Sequence, residues 1–205
     1  MSARVEFFFD LSSPWTCLAF HNLPGVLERT GVTAIHRPIL VGGVFNAVNP
    51  AVYAAREQAD NRRLQHSWKV LKDWARLADV PMNFPSQYHP AKSVQAMRFA
   101  TALEADQTAL ARFARAAFAS YFGRQENLDD PEVLEAVATA EGLDGAAIRA
   151  AAGSDEVKAR LRANTDEVVA RGGYGSPTIF VDGTDMYFGN DQLPLVEAAL
   201  KRTPR

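Results

Sequence analysis

The strand-like stretches of this 205-residue chain sit at its two ends, with a long helical pattern from about Leu40 to Gly153 between them. Residues 4–10, Arg-Val-Glu-Phe-Phe-Phe-Asp, are β-rich and predict a strand. Pro14 to Thr30 predicts a helix closed by Gly31, and Val32 to Arg37 a second strand ahead of Pro38. At the other end, Thr178 to Val181 predicts a strand, Asp182-Gly183 a hairpin turn and Met186 to Phe188 the returning strand, while Leu193, Val196 and Leu200 mark a terminal amphipathic helix. Two-stranded pieces are marginal alone. The economical arrangement is therefore an α/β fold in which both ends join one mixed four-stranded sheet that carries a large α-helical insertion. Residues 1–40 and 153–205 then form the sheet-bearing domain and residues 41–152 the helical one.

Within the middle region, Leu64, Trp68, Leu71, Ala75 and Ala78 fall on one helical stripe while Lys69, Asp73 and Arg76 face away, and Leu110, Phe113, Ala117 and Tyr121 repeat the pattern. Such stripes are core-packing faces. Pro81, Pro85 and Pro90 interrupt the helices with a loop whose Phe84 and Tyr88 need a surface to rest on. A last helix of the region runs from about Ser154 to Arg171.

A hydrophobic content of 47%, 22% charged residues and a net charge of −2 with no block of Lys or Arg speak against nucleic acid as a partner. The chain enters an apolar strand directly, without the basic and apolar regions of a leader, and no run is long enough to span a bilayer. This predicts a cytoplasmic protein with no membrane partner. Cys17 is the single cysteine, so no internal disulfide forms, and no Cys/His cluster has metal-ligand spacing. His21, His36, His66 and His89 are scattered and fit surface or core roles.

An opening β-α-β, a helical insertion, a Ser-Pro-Thr strand, a hairpin and a helix together resemble the thioredoxin-fold disulfide oxidoreductases, which carry Cys-Pro-X-Cys where this chain has Ser13-Pro14-Trp15-Thr16. Hydroxyls replace both sulfurs, which excludes a dithiol redox cycle. The stretches FFFDLSSPWTCLA, VFN with a following NP, DWARLADVPMNFPSQY, GSPTIFVDG and MYFGNDQLPLVEAAL resemble a narrower family, the 2-hydroxychromene-2-carboxylate isomerases and the kappa-class glutathione transferases.

Read from the residues, Ser13 and Pro14 suit an N-cap and first helical position. The resemblance implies more: glutathione as cofactor, its sulfur at this helix N-terminus, and Ser13 as the catalytic hydroxyl that holds the thiolate there, in preference to Ser12. It further implies a cis Ser176-Pro177 bond that presents Ser176 to the cysteinyl part of glutathione, with Asn190 and Asp191 on the γ-glutamyl end. From the residues, Asp191 also reads as the N-cap of the last helix. Asn46, Asn49 and Tyr88 are the implied substrate-binding residues, Asn46 standing where many relatives have Lys. The substrate class implied is a small aromatic carboxylate or electrophile, and the family's usual assembly is a homodimer. The activity implied is isomerisation of a 2-hydroxychromene-2-carboxylate-type intermediate of aromatic degradation to the trans-o-hydroxybenzylidenepyruvate type. A kappa-like conjugating transferase and a non-catalytic glutathione- or peptide-binding module are the alternatives. Cys17, one residue past the motif, reads as a packed helix residue. The protein should neither reduce nor oxidise peptide disulfides: an insulin-reduction assay should stay at the buffer rate, and a rate above it would contradict the loss of the dithiol.

Overall fold

The computed structural model describes residues 4–53 and 61–202. The run Val5–Phe9 forms β1 at the centre of a sheet, followed by α1 (Pro14–Thr30) and β2 (Ala34–Pro38). The helices α2 (Val41–Val48), α3 (Arg62–Leu77), α4 (Val94–Ala102) and α5 (Gln107–Phe118) come next, and α5 runs on into a π-helical turn at Ala119–Arg124. Then follow α6 (Pro131–Ala140), α7 (Gly145–Ala152), α8 (Asp155–Ala170), β3 (Thr178–Val181), β4 (Asp185–Phe188) and α9 (Leu193–Arg202). The sheet order is β2-β1-β3-β4, with β1 parallel to β2 and antiparallel to β3, and β3 antiparallel to β4. This is the mixed four-stranded sheet expected from the two chain ends.

Three boundaries differ from expectation, each for a local reason. Gly31, at φ 65°, and Val32 spend their N–H groups on Glu28 and Leu27 to close α1, so β2 starts at Ala34 instead of Val32. The hairpin pairs Val181 with Asp185, which makes a three-residue connection rather than a two-residue one, with Asp182 and Gly183 both at positive φ. Ser154 lies just outside α8 as its cap, its hydroxyl accepting from Val157 N.

All five residues of β1 are buried because the sheet is covered on both faces. Val5, Phe7, Phe9, Ile179 and Val181 face a large cluster that runs through α1 and α9 and on to Phe113, Phe118 and Phe122 of the helical region. Phe8 and Phe180 face the other way, onto Val44 of α2 and Val168 of α8. Leu71 and Ala75 on the α3 stripe, and Leu110, Phe113, Ala117 and Tyr121, are buried. Phe84 finds the surface it needs against Trp68 and Phe122, with ring centroids 5.8 and 6.3 Å away, whereas Tyr88 stays exposed.

The Phe8 face also carries a charged cluster. Arg37, only 8% exposed, pairs with Glu6 at 3.2 Å, with Glu104 at 3.3 Å and with Glu167, and it donates to Asn164. Arg171 reaches Glu6 at 2.8 Å and lies over the Phe180 ring. Removing one partner from such a group strands a buried charge. Arg37→Ala should therefore cost about 3–5 kcal/mol in urea unfolding, and a loss under about 1 kcal/mol would show the cluster to be dispensable.

Candidate functional site

Where β1 ends, the backbone turns through Asp10 to Ser13, with Ser13 N–H donating to Asp10 O at 3.2 Å. Ser13 caps α1 in extended conformation, its Oγ accepting from Thr16 N at 3.2 Å. Pro14 brings no N–H, and Cys17 N–H donates to Ser13 O. Among the described residues, the N–H of Trp15 is therefore left as the first-turn donor without a protein acceptor. The Ser13 hydroxyl donates to the carbonyl of Ser176 at 3.1 Å, which joins the α1 N-terminus to the loop before β3.

The Ser176-Pro177 bond is cis, as expected. The Ser176 side chain is held from two sides: its Oγ accepts from Asp10 N at 2.8 Å and lies 2.7 Å from Thr16 Oγ1. Gly189 N–H donates to Pro177 O at 3.2 Å, so the Gly189-Asn190-Asp191 turn sits beside the cis-proline. Ser13, Ser176 and this turn are thus assembled at one end of the sheet.

Asp10 lies beneath them, with no exposed surface. Its Oδ1 accepts from Ser12 N and Ser12 Oγ, both at 2.8 Å, and its Oδ2 from Val41 N at 2.8 Å and Ser93 Oγ at 3.0 Å. Burial raises its pKa above the ordinary carboxylate value, and the four donors pull the other way. Ser93 starts α4 in the left-handed region and spends its hydroxyl on Asp10 rather than on its own helix. The arrangement also separates the two serines: Ser12 is tied to Asp10, while Ser13 faces the cis-proline loop. Cys17 is buried, and desolvation pushes its thiol up to about 12, so it is an unreactive packing residue, as expected. His36 packs against Phe7, Phe9 and Phe20, and burial pulls its pKa down to about 4.

The remaining candidate residues are spread more widely. Asp191 is exposed, but it is not the N-cap of α9: the helix starts two residues later, at Leu193. Gln192 precedes it, its carbonyl accepting from Val196 N and its side chain from Phe188 N, which ties the turn back to β4. Asn190 is 2% exposed; its Oδ1 accepts from Asn22 of α1, and its Nδ2 has no hydrogen-bond partner among the described residues. Asn46 is exposed on α2, and Asn49 at the end of that helix reaches Tyr174 O at 3.5 Å, close to the cis-proline loop. Tyr88 is 39% exposed, and neither a hydrogen bond nor a ring contact joins its side chain to Ser13, Asn46 or Asn49. Asp10, Thr16 and Ser93 had no assigned role in the sequence. An acidic residue between an apolar strand and a Ser-Ser-Pro turn was the available signal.

The model of the DSBA-like thioredoxin domain matches residues 4–201. A 2-hydroxychromene-2-carboxylate isomerase of Sphingobium xenophagum is 30% identical over 204 residues, 98% of this chain and 99% of the relative. The chain belongs to the DSBA-like thioredoxin family, among the 2-hydroxychromene-2-carboxylate isomerases. The Pseudomonas putida member is 25% identical, over 98% of this chain and 96% of its own. A solved 2-hydroxychromene-2-carboxylate isomerase superposes with a TM-score of 0.80 at 27% identity, covering 97% of this chain and 95% of the other. A probable DsbA oxidoreductase of Streptomyces coelicolor, at 18% identity and a TM-score of 0.73, shares the fold. Within this isomerase family fold, Asp10 should be replaceable only by an acceptor on both sides. Asp10→Asn turns an NH2 toward two donors and should lower stability by about 1–3 kcal/mol in urea, whereas an unchanged midpoint would show that the four bonds matter little.

Proposed function

We propose that the protein is a glutathione-dependent isomerase acting on a 2-hydroxychromene-2-carboxylate-type intermediate of aromatic degradation. The observation that carries this is the Ser13 hydroxyl, at the N-terminus of α1 and within hydrogen-bond reach of the cis-proline loop. The names of the relatives support the isomerase part.

The residues fit glutathione. A helix N-terminus with one uncommitted N–H favours an anion, and a hydroxyl beside it is a second donor. When bound, glutathione supplies a thiol whose anion adds reversibly to an electron-poor alkene, so that the bond can turn before the sulfur leaves. Ser13 would turn its proton from the Ser176 carbonyl to that anion, with Trp15 N–H beside it. A thiol of pKa about 8.5 is thereby held ionised nearer neutral pH. Freed of Ser13, the Ser176 carbonyl would be an acceptor for an amide N–H of the bound peptide, with Thr16 and Asp10 N–H keeping the Ser176 side chain in place. Asp191, exposed beside the cis-proline, suits the ammonium of the γ-glutamyl end, and Asn190 belongs to the same turn. Ser13 is not cast as a nucleophile, since among the described residues no His or Asp stands hydrogen-bonded to its hydroxyl. A cytoplasmic homodimer completes the proposal.

The uncharged Asn46, exposed on α2, favours a second reading, a conjugating transferase for electrophiles, because an amide cannot neutralise a substrate carboxylate. A spectrophotometric assay with 2-hydroxychromene-2-carboxylate and with an electrophilic aromatic halide, each with and without glutathione, separates the two. The isomerase should require glutathione without consuming it. Ser13→Ala should cost about 1 kcal/mol of stability as a lost cap, and turnover at neutral pH should fall about tenfold to a hundredfold. Asp191→Ala should weaken glutathione binding by about 1.5–3 kcal/mol in calorimetry. Glutathione-independent turnover, or full activity in Ser13→Ala, would contradict the proposal.

A further inference from the structure

Asn46 is an uncharged amide, so an acidic substrate needs its cation from another side chain. Past Ser13, α1 borders a cavity of about 400 Å³ whose apolar walls are Cys17, Phe20, Val80, Pro81 and Phe118. Phe20 and Phe118 stand 5.4 Å apart at its side. Cys17 lies one helical turn beyond Ser13, roughly 6 Å along the axis. The π-helical turn supplies Ala119, Gly123 and Arg124 to the same lining, and such turns recur at functional sites. Asn83 fixes the loop after α3 over that turn, its N–H on Phe122 O at 2.8 Å and its Nδ2 on Gly123 O at 2.6 Å.

Three basic side chains line the cavity. Arg124 is paired with Glu126 at 3.0 Å, and His21 is on α1. Arg115, exposed on the last turns of α5, has no hydrogen-bond or ion-pair partner among the described residues. Asp79, exposed, is the acidic member of the lining. An apolar pocket with a few convergent polar groups is the usual form of a small-molecule site, and a guanidinium matches a carboxylate in bidentate fashion.

We propose that this cavity seats the ring of a small aromatic carboxylate, with Arg115 holding the carboxylate and the ring lying along the Phe20–Phe118 wall toward the α1 N-terminus. The ligand's identity as the isomerase's second substrate rests on the proposed function; the cavity's preference for an aromatic acid does not. A second groove, between α2, α4 and α8, holds Arg98 and Arg162, which have no hydrogen-bond or ion-pair partner among the described residues, and serves as the comparison.

Two measurements test the site. In calorimetric titration, trans-cinnamate should bind the parent protein, bind at least tenfold more weakly to R115Q, and be excluded by Ala119→Phe, which fills the cavity from an exposed position. Neutral trans-cinnamamide should bind the parent at least tenfold more weakly than the acid, and R98Q should match the parent. In turnover of 2-hydroxychromene-2-carboxylate, R115Q should raise the KM for that substrate at least tenfold while kcat and the KM for glutathione stay within twofold. No cinnamate binding, equal affinity in parent and R115Q, or a loss in R98Q instead would overturn the proposal. Absence of a glutathione requirement would sink the isomerase reading and leave the cinnamate titration to decide the cavity.

Discussion

A carboxylate removed from water is costly unless donors surround it, and the candidate site is organised around one that meets that demand. Asp10 accepts from Ser12 twice, from Val41 at the start of α2 and from Ser93 at the start of α4. One buried group thereby fixes the turn that delivers Ser13 and anchors two helices to the end of β1. Its own N–H extends the control to the far side of the site, because it donates to the Ser176 hydroxyl next to the cis-proline. The Ser13–Ser176 contact is as well defined as it is because both residues hang from the same four-residue segment, 10–13.

That segment is in turn held by the sheet. Phe7 and Phe9 point into the core shared with α1 and the helical region, and Phe8 points into the core under α2 and α8. A strand buried on both faces has little freedom to slip, since a shift of one residue would exchange the two sets. Glu6 on the Phe8 side adds a polar constraint to the same register, as it must meet Arg37 and Arg171. The rigidity of β1 therefore extends into the geometry at Ser13.

The four strands and their joining into one mixed sheet were readable from the sequence because their signals are local: aromatic runs, Gly31, Asp182-Gly183, and the Ser-Pro pairs that match a known family. Boundaries slipped where a backbone group was already engaged, as at Val32 and Gln192. The supports of the site were much harder to see. Asp10 meets its partners 31 and 83 residues away, and Arg37 reaches Asn164 across 127. No periodicity links such positions, and a single Asp ahead of two serines looks like an ordinary turn residue. Asp191 fell in between: it is exposed beside the cis-proline, yet the capping geometry read from its neighbours belongs to Gln192.

Chemically, the chain carries the Ser13 hydroxyl at the α1 N-terminus where the thioredoxin-fold oxidoreductases carry a sulfur, and the proposed function brings the reacting thiol in with the ligand. The decisive quantity is the acidity of that thiol. Titrating the ultraviolet thiolate absorbance of bound glutathione in the parent protein and in Ser13→Ala measures it directly. The account predicts a midpoint one or more units below the ordinary thiol value of about 8.5 in the parent, and a return toward that value in the variant. Equal midpoints in the two proteins would contradict it and leave Ser13 as a helix cap.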